Sequence, residues 1–302
     1  MATATALARL EAQPKVPRGI AVGVATRGRP GFLRLVVERL RRQTLRPAAL
    51  LIAYVEPTDV AGLSEAPDLA LIACEAGLTR QRNAILDHLP VGTEFVAFFD
   101  DDFLPHPQWL ARMAAAFNAD PDIVCVTGSV VANGVSCGEI APEAALALLA
   151  QADPAGCEGV EDGVSPYGCN MAFRCAGLGD ARFDERLPLY AWLEDRDFAA
   201  RVVRGDGRQV RVGAALGVHL GVGAGRMSDR RLGYAQIANP LHLLRRGTMR
   251  PRDFALRIAT DLASNLCKSP RSPARRRRLA GNGLAVAEAL LGRCAPERAT
   301  RL

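Results

Sequence analysis

Aromatic residues are scarce in this chain: two Trp, four Tyr and ten Phe make up 5% of its 302 residues. Nucleic-acid binders use such rings as stacking platforms, and no basic reader motif stands in for them, so no nucleic-acid partner is expected. No apolar run approaches the roughly 20 residues needed to span a bilayer. A signal peptide is missing too, because Arg9 and Glu11 interrupt any hydrophobic core near the amino terminus. Both absences imply a cytoplasmic chain. Nor is there a Cys-x-x-Cys pair: the eight cysteines stand apart at 74, 125, 137, 157, 169, 175, 267 and 294. That spacing argues against a zinc site or a disulfide framework and favours reduced thiols.

What is present is a globular composition, 49% apolar and 23% charged. The length suits one large α/β domain with an appendage. The net charge of +6 is unevenly placed. Residues 245–302 hold 14 Lys+Arg and 4 Asp+Glu, a net of +10, and the remainder holds 24 and 28, a net of −4. An acidic body with a basic tail points to a polyanionic partner for the tail.

Residues 1–17 read as a flexible leader. Ile20-Ala21-Val22-Gly23-Val24-Ala25 reads as a buried strand, closed by Thr26-Arg27-Gly28-Arg29-Pro30. Leu33, Val36, Val37 and Leu40 then carry helical spacing, with Pro30 suited to a first turn. Strands are expected at 50–55, 69–73, 94–99 and 123–131, and helices at 78–88 and 107–118. The alternation implies right-handed crossovers and a mostly parallel, Rossmann-like sheet flanked by helices. Ligands of such sheets gather at the carboxyl ends of the strands. Beyond 131 the pattern loosens. One helix at 142–151 sits in a stretch, 133–165, that reads as a mobile acceptor-side loop. A strand at 166–175, a helix at 193–204 and a short strand at 209–212 follow.

The run Phe95-Val96-Ala97-Phe98-Phe99-Asp100-Asp101-Asp102 is the most informative. Three adjacent carboxylates repel one another and cost desolvation energy wherever they are partly buried. A hard cation such as Mg²⁺ or Mn²⁺ would relieve that cost, and it prefers phosphate oxygens as further ligands. A solvated acidic turn is the plainer alternative. A second acidic pair, Glu194-Asp195, opens a helix, where the macrodipole favours anions and acids often serve only as caps. Tyr190 and Trp192 flank that pair as they would at a sugar-binding face. His219 lies alone in an apolar strand, which as a rule is a structural place, and His88, His106 and His242 also read as structural.

In order and spacing these pieces resemble the inverting glycosyltransferases of family 2, with the GT-A fold, over residues 18–225. The resemblance rests on Thr26-Arg27-Gly28-Arg29-Pro30, Gly77-Leu78-Thr79-Arg80-Gln81-Arg82-Asn83, Asp100-Asp101-Asp102, Asn170-Met171-Ala172-Phe173-Arg174, Phe183-Asp184-Glu185 and Glu194-Asp195. It implies a metal-dependent enzyme that moves a sugar from a nucleotide-diphosphate sugar to an acceptor hydroxyl. Asp102, with Asp100, would hold Mn²⁺ or Mg²⁺ against the leaving diphosphate, and a late histidine, His219, would complete the shell. Asp100 is also placed near the ribose, and Asp101 beside it as support. Asp195 would take the acceptor's proton, with Glu194, Trp192 and Asn170 on the acceptor side. Thr26 and Arg27 would border the base and ribose. Glu56 stands where the family has a base-reading aspartate, with Asp59 as its rival. Arg80 and Arg82 are candidates for base or diphosphate contacts, or else exposed helix ion pairs. Gly221 to Gly225 would form a lid that brings Arg226 to the diphosphate. The acceptor would be a glycan, a lipid-linked molecule or a small molecule, in polysaccharide or other cell-surface glycan synthesis.

Residues 226–302 are expected to form a helical, basic C-terminal appendage. Phe254, Ile258, Leu262 and Leu266 recur at four-residue spacing, and Arg275-Arg276-Arg277-Arg278 follows. Two readings stand: an appendage packed on the catalytic domain with its arginines in solvent, or docking on an anionic membrane surface. A sugar-phosphate nucleotidyltransferase is the alternative enzyme. It is disfavoured because the loop after the first strand has no lysine in a Gly-rich setting. A non-catalytic nucleotide-binding scaffold of the same fold is the third class.

Overall fold

The computed structural model describes residues 19–203, 205, 207–223 and 227–302. The expected leader at 1–17 and Arg226 therefore lie outside the described residues. Strands β1 (Ile20–Ala25), β2 (Ala49–Tyr54), β3 (Leu69–Ala73) and β4 (Phe95–Asp100) form a parallel half-sheet in the order β3-β2-β1-β4. Successive side chains of these strands feed opposite faces. Ile20, Val22 and Val24 pack with Leu33, Val36, Val37 and Leu40 of α1 (Pro30–Arg41). Ala21 packs with Ile85 and Leu86 of α2 (Leu78–Asp87) on the other face. Burial on both sides explains why these strands read as nearly continuous apolar runs.

Beyond β4 the sheet becomes mixed. It continues through β8 (Asn170–Arg174), β6 (Ile123–Asn133), β9 (Arg208–His219) and β5 (Phe103–Pro105), and β7 (Val160–Asp162) pairs with β9. β8 runs antiparallel to both its neighbours, while β6 and β9 run parallel. Helix α3 (Trp109–Ala119) joins β5 to β6. The short strand expected at 209–212 is instead twelve residues long, because it follows β6 through three register shifts and then reaches β5. The stretch read as a loop at 133–165 carries a helical turn at Gly134–Cys137, then α4 (Pro142–Gln151), then β7 on the edge of β9. Ala145 and Leu149 of α4 enter the main core, and that gives the stretch a structure of its own.

After α5 (Glu194–Val202) the C-terminal helices α6 (Asp229–Arg246), α7 (Pro251–Lys268) and α8 (Pro273–Leu290) form a small bundle around Tyr234, Ile237 and Ala285. α6 and α8 approach backbone to backbone. A Cβ at Gly233 or Gly281 would stand 2.1 Å from a carbonyl oxygen of the facing helix. The apolar stripe expected on α7 packs only in part: Phe254, Ile258 and Leu262 are half-buried, whereas Leu266 is exposed. The arginine quartet is not simply solvated. Arg275 donates to Asn265 Oδ1 at 2.9 Å, Arg276 to the Ser269 carbonyl at 3.1 Å, and Arg278 to Asp229 Oδ1 at 2.9 Å. All eight cysteines are free thiols. Among the described residues no helix is long and apolar enough to cross a membrane.

The bundle is fastened to the α/β body through two buried aspartates. Asp184 Oδ2 accepts hydrogen bonds from His242 Nε2 at 2.7 Å and Arg246 Nη1 at 3.0 Å, and Asp197 Oδ1 accepts one from Thr248 Oγ1 at 2.7 Å. Burial alone would raise Asp184, but the His242, Arg186 backbone and Arg246 partners outweigh it and hold the carboxyl near 2, below its ordinary 3.8. A group depressed on folding stabilises the fold above its unfolded pKa, and that contribution is lost as pH falls through the folded value. A drop from 3.8 to about 2 corresponds to about 2 kcal/mol at neutral pH. Asp184→Asn is therefore expected to lower the urea-unfolding free energy by about 2 kcal/mol at pH 7. The gap between variant and parent should narrow as pH falls from 4 towards 2. A gap that stays constant across that range would remove the ionised Asp184 from the account.

Candidate active site

The three aspartates separate at the turn between β4 and β5. Asp100 and Asp102 lie with His219, each offering a ligand atom within 4.8 Å of the others. Strand register makes this meeting: β5 pairs antiparallel with β9, so that Phe103 faces His219, one residue beyond Asp102. The Asp102 backbone carbonyl accepts from Leu220 N at 2.9 Å, and its side-chain Oδ2 accepts from Val222 N at 2.9 Å. His219 Nε2 lies 3.3 Å from Asp102 Oδ1, and its Nδ1 lies 3.2 Å from Tyr167 Oη. Burial works against the Asp102 charge, yet His219, Arg29 and the Val222 amide hold its pKa below the ordinary value. Two carboxylates and an imidazole are a donor set that could hold a divalent cation.

Asp101 points elsewhere and is fully buried. It accepts from Thr26 Oγ1 at 2.7 Å and pairs with Arg29 Nη2 at 3.0 Å. Burial pushes it up to about 7 against the pull of Arg29. Asp101 and Thr26 thus support each other beneath the cleft, and neither has surface for a nucleotide. Thr26 is further tied through its amide to the Ala53 carbonyl and through its own carbonyl to Gln81. Arg29 spans both inner acids, with Nη1 3.0 Å from Asp102 Oδ2. The sequence alone assigns Arg29 no role, although it stands immediately before Pro30, the first residue of α1. Of the other donor-side candidates, Arg27 and Glu56 are exposed. Asp59 is buried and spent on the amides of Gly28, Val55 and Glu56.

The second acidic pair faces the first across one arginine. Arg82 is buried, with its guanidinium held by Glu194, by Asp100 Oδ1 at 3.2 Å and by the Gly168 carbonyl at 2.8 Å. It also lies over the rings of Phe98 and Phe183, 5.9 and 5.5 Å from their centroids. This is neither the exposed helix pair nor the free diphosphate contact that its helix position allowed. Arg80 is half-exposed and pairs with Glu75 and with Glu185, the latter at 3.6 Å. Asp195 is partly exposed. Its Oδ2 accepts from Gly168 N at 2.8 Å and its Oδ1 from Arg196 N at 2.7 Å. Burial raises the pKa of Asp195 despite those bonds, and burial with the neighbouring Asp195 charge raises Glu194 against the pull of Arg82. Each Asp195 oxygen keeps a lone pair for a further donor. Asn170 departs from the acceptor-side expectation. It has no exposed surface, and its carboxamide is committed to Gly128 N and Cys169 Sγ.

The loop ahead of α5 is strained. Leu189, Ala191 and Leu193 have φ of 61°, 51° and 75°, a region that costs an L-residue roughly 1–2 kcal/mol. Packing over-determines it: Leu187 and Ala191 sit against Leu243 and Met249, and Asn239 Nδ2 donates to the Trp192 carbonyl at 2.8 Å. Trp192 is half-buried, with the Arg257 guanidinium 4.5 Å from its ring centroid.

Residues 22–136 match the model of glycosyl transferase family 2. That stretch includes the aspartate turn but not Glu194, Asp195 or His219. No curated protein matches the sequence at a significant level. Among solved structures, similarity is found to a mannosyltransferase, PcManGT, from Pyrobaculum calidifontis in complex with GDP-Man and Mn²⁺. It is 19% identical over 95% of this chain and 84% of that one, with a TM-score of 0.53. Glucosyl-3-phosphoglycerate synthase from Mycobacterium tuberculosis, with Mg²⁺ and UDP, is 17% identical over 81% and 85%, also at 0.53. Residues 1–349 of TarS from S. aureus are 16% identical over 75% of this chain and 65% of that fragment, at 0.51. The fold is that of the GT-A glycosyltransferases, as the sequence led us to expect.

Arg82 supplies a direct test of how the two acidic sites are joined. Removing one partner of a buried ion pair leaves an uncompensated charge, at a cost of about 3–5 kcal/mol. Arg82→Met is expected to lose at least about 3 kcal/mol in urea unfolding, and more than Arg80→Met, whose half-exposed pairs contribute at most about 1 kcal/mol. Equal losses in the two variants would contradict the bridging role.

Proposed function

We propose that this protein is a metal-dependent, inverting glycosyltransferase that moves a sugar from a nucleotide-diphosphate sugar to an acceptor hydroxyl. The observation that carries this reading is the grouping of Asp100, Asp102 and His219 at the carboxyl end of β4, with Asp195 linked to it through Gly168 and Arg82. The family match over 22–136 supports the same reading, as do solved neighbours that hold GDP-Man with Mn²⁺ and UDP with Mg²⁺. Asp100, Asp102 and His219 would hold the cation, which when bound supplies positive charge to the departing diphosphate.

The chain's own residues do the rest. Asp195 accepts the proton of the attacking hydroxyl at whichever carboxylate oxygen faces it, and its raised pKa suits a base working near neutral pH. The Gly168 and Arg196 amides fix the carboxylate plane. Glu194, locked by Arg82, is fixed beside it, and half-buried Trp192 would contact acceptor or sugar. Displacement by a single attack, with no protein nucleophile, inverts the anomeric carbon. Arg27 and Glu56, exposed at the rim by β1 and β2, are the candidates for base and ribose contacts. The acceptor class proposed is a glycan, a lipid-linked molecule or a small hydroxylated molecule.

The test separates binding from chemistry. Asp195→Asn keeps the shape and removes the base, so transfer should fall by about 10²–10⁴-fold. Thermal stabilisation by UDP or GDP with Mn²⁺ should persist in that variant and be lost in Asp102→Asn. Undiminished transfer by Asp195→Asn, in an assay following nucleoside diphosphate release, would rule out the proposed base.

A further inference from the structure

Helix α7 turns three of its five charged side chains, Asp253, Arg257 and Asp261, inward. Asp253 pairs with Arg196 at 2.9 Å and Asp261 with Arg257 at 3.0 Å, and Arg257 covers Trp192. Its outward strip is Arg252, Leu256, Ala259, Ala263 and Leu266, at steps of four, three, four and three that keep one helical face. Leu256 is 62% exposed and Leu266 63%, and at the end of α8 Leu290 reaches 84% and Leu291 66%. Single exposed leucines are ordinary on a soluble surface. Here they coincide with an unusual charge distribution. Residues 251–293 contain three carboxylates, Asp253, Asp261 and Glu288, and each pairs with an arginine and is buried or half-buried. The exposed charges of that stretch are all positive: Arg252, Lys268, Arg271, Arg276, Arg277 and Arg293.

We propose that the outward surface of α7 and α8 docks on an anionic lipid bilayer. The leucines would enter the boundary between headgroups and acyl chains, and the cations would meet lipid phosphates. Charge complementarity selects this occupant. A second copy of the chain would bring cations against cations, and a nucleic-acid duplex would leave the leucines without an apolar surface. The inference goes beyond sugar transfer and does not depend on it. It does set the cleft close to the bilayer, because Trp192 leans on the inner side of the same helix.

The test uses the full chain sedimented with phosphatidylcholine vesicles, pure or with about 30 mol % phosphatidylglycerol. Pelleting is expected only with the anionic vesicles and should weaken in high salt. Leu256→Glu with Leu266→Glu, both at exposed positions, should cut the bound fraction about tenfold at an unchanged melting temperature. Arg276→Gln with Arg277→Gln should weaken binding and flatten its salt dependence. Absence of pelleting overturns the proposal, and so does pelleting that the leucine variant leaves intact. Light scattering that shows a dimer dissolved by the leucine variant, or retention on duplex DNA in preference to vesicles, overturns it in favour of the other occupant. Transfer activity measured on the same variants without vesicles keeps failure here distinct from failure of the glycosyltransferase reading.

Discussion

A guanidinium sealed between two acidic sites sets the shape of the cleft. Arg82 touches Asp100 on one side and Glu194 on the other, and its third hydrogen-bond acceptor is the Gly168 carbonyl. An arginine is suited to this place because its planar fork satisfies several acceptors at once and its face lies over aromatic rings. A lysine would offer one point of charge. The geometry leaves no room beside the guanidinium. A Cβ at Gly168 would stand 3.0 Å from Glu194 Oε1 and 3.3 Å from Asp195 Oδ2. One amino acid without a side chain therefore lets β8's approach, the arginine and the second acidic pair converge. That convergence fixes the position of Asp195 relative to Asp100 without direct contact between the two acids.

The C-terminal bundle belongs to this constraint. Three consecutive odd-numbered residues, 189, 191 and 193, hold positive φ although none is glycine. Strain of that kind persists only where the surroundings over-determine it. Leu243 and Met249 supply packing, Asn239 holds the Trp192 carbonyl, and the Leu78 amide donates to the Leu189 carbonyl at 3.0 Å. Without α6 the loop would relax towards ordinary dihedrals, and Glu194 and Asp195 would move with it. The bundle is thus a buttress of the candidate site, and its Asp184 and Asp197 fastenings lie just before and just after the residues it supports.

Much of the frame was legible because it is local. β3 at Leu69–Ala73 and α4 at Pro142–Gln151 have the bounds that the apolar pattern implies, and the strand before the aspartates ends one residue beyond its expected edge. What failed to show was non-local. β5 is three residues long and exists only because β9 passes beside it. β9 itself looked short because its glycines, at 213 and 217, break the pattern that tertiary pairing restores. Asn170 was expected on the acceptor side through the resemblance of its motif, while its partner, the Gly128 amide, lay 42 residues away. Arg82 is the same case in reverse. Helix phase indicated its neighbours along α2, but not that Glu194, 112 residues on, would close over it.

Charge balance ties the two halves of the cleft together. Asp100, Asp101, Asp102, Glu194 and Asp195 stand around two guanidinium groups, those of Arg29 and Arg82. The surplus is negative, and three of these acids respond to it and to burial with raised pKa values. Asp102 is the exception, held low by His219, Arg29 and a backbone amide. The acid whose pKa is held low is therefore the one that shares its surroundings with an imidazole and a second carboxylate. Acids with raised pKa values flank it, Asp101 on the core side and Glu194 and Asp195 across Arg82. An arrangement built only for stability would have placed a third arginine there or replaced an acid with an apolar residue, since buried charge without a partner costs more than it returns. A pocket that keeps its negative surplus at the end of a strand, opposite a strained loop, is what the proposed cation and the proposed base would require.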